Sequence, residues 1–148
     1  MTDLHCHILP AIDDGAKNAK VSMELLRMQN DAGVTDIVCT PHFNPDSQNL
    51  EDFIDKRYRS ARYLADYVFR SELPVRLKFG AEVRISPTIL DLDFLPLCFQ
   101  KTKVMLLEMP RTLRPQWDTN VIYQLTLGGV IPLIAHIERY PYVQKKPN

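Results

Sequence analysis

The chain has 148 residues, 45% of them hydrophobic, with 18 Lys+Arg balanced by 18 Asp+Glu. That length suits one globular domain with a sizeable core, and zero net charge supplies no broad basic field to hold nucleic acid or an anionic membrane. The N-terminus lacks the basic and apolar segments of a signal peptide, and no stretch approaches the ~20 apolar residues of a membrane span. The expected setting is the cytoplasm. Cys6, Cys39 and Cys98 show no Cys-x-x-Cys spacing and read as reduced, packed thiols.

Residues 4–8 predict a first strand, and Pro10 to Gly15 a βα loop rich in turn formers. Val21, Leu25, Leu26 and Met28 then repeat at helical spacing over 19–32, and Gly33 is placed to end that helix. A β-branched run over 34–40 forms a second strand, stopped by Pro41, which presents His42 at its downstream edge. After a polar loop, 50–73 predicts a long helix with Phe53, Ile54, Tyr58, Ala61, Leu64, Ala65 and Val68 as its apolar stripe and its Arg and Lys residues on a solvated face.

Residues 75–79 alternate apolar and basic ahead of Gly80-Ala81-Glu82-Val83, a third strand ending on a carboxylate. Residues 86–98 have no clear period. A fourth strand over 103–110 carries Glu108, a helix follows over 115–127, and a fifth strand over 130–136 ends on His136. This alternation of strands and helices predicts a parallel α/β fold, and five strands do not close a usual barrel.

All four histidines and two glutamates therefore fall at strand ends, where folding brings them to one rim. His5 and His7, two apart on a strand, point to the same side within reach of one cation, unless they simply pack at the sheet's mouth. Asp13 and Asp14 before Gly15 build an Asx turn and cap the next helix, or one of them joins the metal set. Glu82 and Glu108 close apolar runs, where a carboxylate needs a partner: a cation, or an arginine such as Arg84 or Arg111. His136 fits a ligand, a proton carrier or a core histidine, and Arg139 suits a phosphoryl group or a surface pair with Glu138.

Histidine and carboxylate ligands without cysteine suit Mn, Fe or Zn. Two such ions ~3.5–4 Å apart activate water and neutralise phosphate oxygens, the requirements of phosphoester hydrolysis. Cysteine-dependent phosphatase chemistry is disfavoured, because Ile12, Pro45 and Val104 stand where an arginine six positions after each cysteine would be needed.

The segments Asp3-Leu4-His5-Cys6-His7-Ile8-Leu9-Pro10, Ile12-Asp13-Asp14-Gly15-Ala16, Thr40-Pro41-His42, Gly80-Ala81-Glu82-Val83-Arg84-Ile85, Leu107-Glu108-Met109-Pro110 and Ala135-His136-Ile137-Glu138-Arg139-Tyr140 run in order through the chain. Together they resemble the polymerase and histidinol phosphatase (PHP) superfamily, and within it the manganese-dependent protein-tyrosine phosphatases of the CpsB/CapC type from capsule and exopolysaccharide clusters. The resemblance implies a distorted (β/α)7 TIM-like barrel of the PHP type with about five strands present and the barrel incomplete. It further implies up to three Mn2+ ions, with Fe or Zn as alternatives, and a phosphotyrosine substrate in the tail of a bacterial tyrosine kinase.

On that resemblance His5 and His7 hold one metal, Glu82 bridges it to a second bound by Glu108 and His136, and Asp14 and His42 serve a third. Arg139, as the phosphate contact, and His42 form the catalytic set. Ala11 and Ile137 depart from a usual glycine and proline. Family members also continue for roughly two more βα units with an Asp-x-His pair, so residues 1–148 are expected to be a single PHP-type metallophosphatase domain lacking its C-terminal units. Weak metal retention and self-association through open sheet edges are the corollary. The competing readings are another PHP activity (histidinol-phosphate hydrolysis or a polymerase-linked exonuclease) and an inactive protein that binds the kinase tail.

Overall fold

A computed structural model describes residues 1–144. Five parallel strand paths alternate with helices: β1 (Thr2–Cys6), α1 (Ala19–Asp31), β2 (Asp36–Cys39), β3 (His42–Phe43), α2 (Leu50–Arg70), β4 (Arg76–Phe79), β5 (Glu82–Arg84), β6 (Val104–Glu108), α3 (Asp118–Leu127), β7 (Ile131–Ile134) and a short α4 (Pro141–Gln144). The strand order is β1-β2-β4 in one sheet and β3-β5-β6-β7 in the other, with every pairing parallel.

The second predicted strand ends before Pro41 and pairing resumes beyond it as β3, and the third is divided into β4 and β5. Pro41 has no N–H to give the ladder, yet its carbonyl accepts from Glu82 N–H at 3.0 Å, and Cys39 O accepts from Gly80 N–H at 3.0 Å. Chain direction and pairing thus persist across both breaks. The two sheets so linked remain open, with β1 and β7 as the outermost described strands. The architecture is parallel α/β, and these strands do not close a barrel.

Helix starts follow their caps: Asn18 and Asn49 accept from Val21 N–H and Asp52 N–H, each at 3.1 Å. Gly33, at φ +83°, follows the C-cap of α1 as expected. Two readings of helix faces need correction. Helix α1 buries Ala19, Ser22, Met23 and Leu26, whereas Met28 is 67% exposed. On α2, Tyr58 is exposed, while Arg57 leaves the solvated face and donates to Gly80 O at 2.7 Å and Pro96 O at 2.9 Å. Lys56 likewise reaches Ile12 O at 2.9 Å.

Residues 86–98 resolve into two 3-10 turns, Pro87–Asp91 and Leu95–Leu97. They bury Ile89 and Leu97, which join the main core. The helix predicted from 115 begins only at Asp118. Leu26, Ile37, Leu64, Val83, Met105, Leu107 and Leu125 form one continuous core, which fixes the strand ends against one another. The three cysteines are buried free thiols.

Candidate metal centre

The strand ends converge on Glu82. Its residue lies opposite His42 in the β3–β5 register and is 1% exposed. Carboxylate oxygen Oε2 lies 3.0 Å from His5 Nε2, 3.0 Å from His7 Nε2 and 3.2 Å from His42 Nδ1. Oxygen Oε1 pairs with His136 Nε2 at 2.9 Å. Among the described residues no arginine pairs with Glu82, so the ion-pair alternative with Arg84 is not what the fold builds.

Despite three close nitrogens, Oε2 has no well-directed hydrogen bond among the described residues, and neither does the buried Nδ1 of His136. The Nε2 atoms of His5 and His7 are themselves 3.2 Å apart. Two neutral imidazole nitrogens at that distance cannot both donate to one another, and lone pairs converging on a shared carboxylate are the donor set a divalent cation requires. The residues therefore fit a metal.

Ligand atoms fall into three overlapping groups: His5, His7 and Glu82; His7, Asp14 and His42; and His42, Glu82 and Glu108. His136 joins through Glu82 and, more distantly, Glu108 Oε1 at 3.7 Å. All seven residues singled out as metal ligands thus lie around one mouth, though His7 and His42 are shared between groups that the sequence reading kept apart. Asp14 is 84% exposed and reaches His42 Nε2 at 3.4 Å. His7 sits just beyond the end of β1, where the register with β2 is irregular, so its alignment with His5 comes from the loop as well as the strand.

That loop is tightly built. A Cβ on Gly15 would lie 2.2 Å from His7 O and 2.5 Å from His7 Cβ, so no other residue fits beside the histidine. Ala11, in place of the usual glycine, takes a left-handed φ of +55°. Asp13 Oδ1 accepts from Gly15 N–H at 3.0 Å, the predicted Asx turn. Its Oδ2 does more: it meets His7 Nδ1 at 2.8 Å and His42 N–H at 3.0 Å. At the far side the hydroxyl oxygen of Tyr140, wholly buried, accepts from Met109 N–H at 2.9 Å, and its ring lies against that of His136.

Electrostatics follow from this packing. Burial disfavours a charge on His7, but the Asp13 contact and the negative charges of Asp13 and Glu82 close to the ring outweigh it and raise its pKa to about 10. Burial likewise opposes ionisation of Glu82, yet His5 and His7 overcome it and hold the carboxyl well below the usual range. A raised His7 favours its protonated form, and a proton on a ligand nitrogen competes with a metal for the same lone pair.

Arg139 lies at the same mouth, with Arg111, Glu138 and the histidines lining a cavity of about 590 Å³. Its guanidinium is 62% exposed and only 3.6 Å from the exposed Glu138 carboxylate. Arg111 stands 3.8 Å from Glu108, too long for a tight bidentate pair.

Parallel strands whose downstream ends gather a histidine and carboxylate cage define an α/β protein with a candidate polynuclear metal centre. The family model for capsular polysaccharide synthesis, CpsB/CapC, matches residues 1–148, and the chain belongs to that family. Similar proteins include the tyrosine-protein phosphatase YwqE of Bacillus subtilis, 33% identical over all of this chain and 58% of the relative. The putative tyrosine-protein phosphatase CapC of Staphylococcus aureus is 31% identical over 94% of this chain and 54% of the relative. A solved structure from work on YwqE of B. subtilis and CpsB of Streptococcus pneumoniae, described as unique metal-dependent tyrosine phosphatases, superposes with a TM-score of 0.85 at 33% identity, covering 97% of this chain and 58% of the other. The chain thus spans a little over half the length of these relatives.

Proposed function

We propose that this chain carries the metal-holding part of a metal-dependent protein-tyrosine phosphatase acting on a bacterial tyrosine kinase that controls capsule or exopolysaccharide synthesis. The observation that carries the reading is Glu82 Oε2 set among three imidazole nitrogens without a directed hydrogen bond. Residues 1–148 belong, on this reading, to a single PHP-type domain, their five strand paths forming part of a distorted (β/α)7 barrel. The protein works in the cytoplasm, and its open edges favour self-association; among the described residues no helix is long and apolar enough to cross a membrane.

His5, His7 and Glu82 would hold one ion, Glu82, Glu108 and His136 a second, and Asp14 and His42 a third, with Mn2+ the proposed metal. Bound there, such ions supply a nucleophilic water near neutral pH and offset charge on phosphate oxygens. Arg139 is the group that orients the phosphoryl oxygens: its exposed guanidinium lines the cavity, and the one carboxylate it pairs with among the described residues, Glu138, is held loosely. His42, half-exposed at the same mouth, is placed to meet the substrate as well as a metal.

The test is Mn2+-dependent hydrolysis of a phosphotyrosine peptide beside histidinol phosphate by the intact protein. Preference for the peptide, abolished by chelation, is the expected result. Preference for histidinol phosphate would replace this function with another PHP phosphatase activity, and peptide binding without turnover would make the protein a kinase-tail binder.

A further inference from the structure

We infer that Asp13 is a positioning residue for two ligand-bearing segments at once, a role that rests on reading His7 and His42 as metal ligands. Its side chain is only 6% exposed and meets three nitrogens on two oxygens: Gly15 N–H at 3.0 Å on Oδ1, and His7 Nδ1 at 2.8 Å with His42 N–H at 3.0 Å on Oδ2. Gly15 N–H and His42 N–H are donors by their nature, which leaves Oδ2 an acceptor. His7 Nδ1 completes the set by donating, so the proton on Nδ1 is held by Asp13 and Nε2, facing Glu82 Oε2 and His5, is the nitrogen left to give up its proton to a metal.

The second contact extends the effect across the fold. His42 begins β3 immediately after Pro41, where the β2 ladder breaks, and its backbone N–H is tied to the loop after β1 through Asp13. One carboxylate therefore fixes the ring of a histidine in the first group and the chain position of a histidine in the second and third. Loss of Asp13 frees the His7 tautomer and unlocks the distance between those groups together.

Asparagine cannot substitute. Its single amide oxygen and NH2 group would face three N–H donors, so either Gly15 or the His7–His42 pair would meet a donor instead of an acceptor. Asp13→Asn is thus nearly isosteric but loses the function of the site.

The experiment titrates the intact protein and Asp13→Asn with Mn2+, following free Mn2+ by electron paramagnetic resonance, and records 15N spectra of labelled histidines in the Zn2+-loaded proteins. Metal affinity is expected to fall about 10–100-fold in the variant, the usual cost of losing such a partner. His7 should be protonated on Nδ1 in the wild type and shift toward mixed tautomers in the variant, a change that mere loosening of the loop would not specify. Equal Mn2+ affinity in a folded variant overturns the proposal, and so does a wild-type His7 protonated on Nε2, which decides the matter even where the variant fails to fold. A wild type that takes up no metal overturns the metal reading itself, a result distinct from equal binding by both proteins.

Discussion

Glu82→Gln removes the one charge on which four histidines converge, and its cost can be worked from the contacts. The residue is 1% exposed, with Oε1 at 2.9 Å from His136 and Oε2 at 3.0, 3.0 and 3.2 Å from His5, His7 and His42. Breaking a buried ion pair by removing one partner costs about 3–5 kcal/mol when the other stays charged and buried. Here His7 retains Asp13 and is free to lose its proton, so the lower end applies. We expect about 3 kcal/mol in the metal-free protein, roughly a hundredfold in the folding constant at 1.4 kcal/mol per decade. Urea denaturation in EDTA at pH 6.5 measures this term, and repetition with Mn2+ should show that the metal-dependent gain in stability is also lost. A loss below about 1 kcal/mol together with normal Mn2+ stabilisation would refute Glu82 as the hub.

Other consequences follow from the same geometry. His7 is raised to about 10 from an ordinary 6.5, so its contribution to metal-free stability is complete below 6.5 and declines as pH rises through about 10; Glu82, lowered, contributes above the ordinary carboxylate range and loses that contribution as pH falls through its depressed value. Melting in EDTA should therefore show stability falling from pH 6.5 to 10, while Mn2+ binding tightens over that interval because the competing proton leaves; a metal affinity independent of pH would count against this. Gly15→Ala places a methyl group 2.2 Å from His7 O, and calorimetric titration should show Mn2+ affinity reduced at least tenfold, whereas unchanged affinity would mean the loop is not rigid. Arg57→Met leaves Gly80 O and Pro96 O without their donor and should lower stability by about 1–3 kcal/mol in urea titrations. Arg139→Ala should cut phosphotyrosine turnover by about 10²-fold with Mn2+ uptake unchanged, since among the described residues its guanidinium pairs with Glu138 rather than with a proposed ligand; loss of metal binding instead would reassign it.

Much of the site was legible because each ligand closes an apolar run. Val104 to Leu107 and Ile131 to Ile134 identify themselves as strands by composition, and Glu108 and His136 follow at their ends. What pairwise spacing does not contain is partnership across the chain. Asp13 read as an Asx turn because its Gly15 contact is local, whereas His42 lies 29 positions away. Arg57 read as solvated because helical periodicity assigns charge to the outer face, and only the fold brings Gly80 O and Pro96 O within reach of it. The face of α1 was misplaced for a related reason: Ala19 and Ser22 allow close approach, so small residues enter the interface and Met28 remains outside. Pro41 was rightly a break, but its carbonyl still serves the ladder, so the strand resumes beyond it as β3 with His42 in register opposite Glu82.

The decisive measurement is anomalous diffraction at the manganese edge from crystals of the intact protein grown with Mn2+. The proposed function predicts anomalous peaks at Glu82, one among His5 and His7 and a second among Glu108 and His136. Ordered Mn2+ elsewhere, with Glu82 still held only by its histidines, would contradict a metal centre at the strand ends.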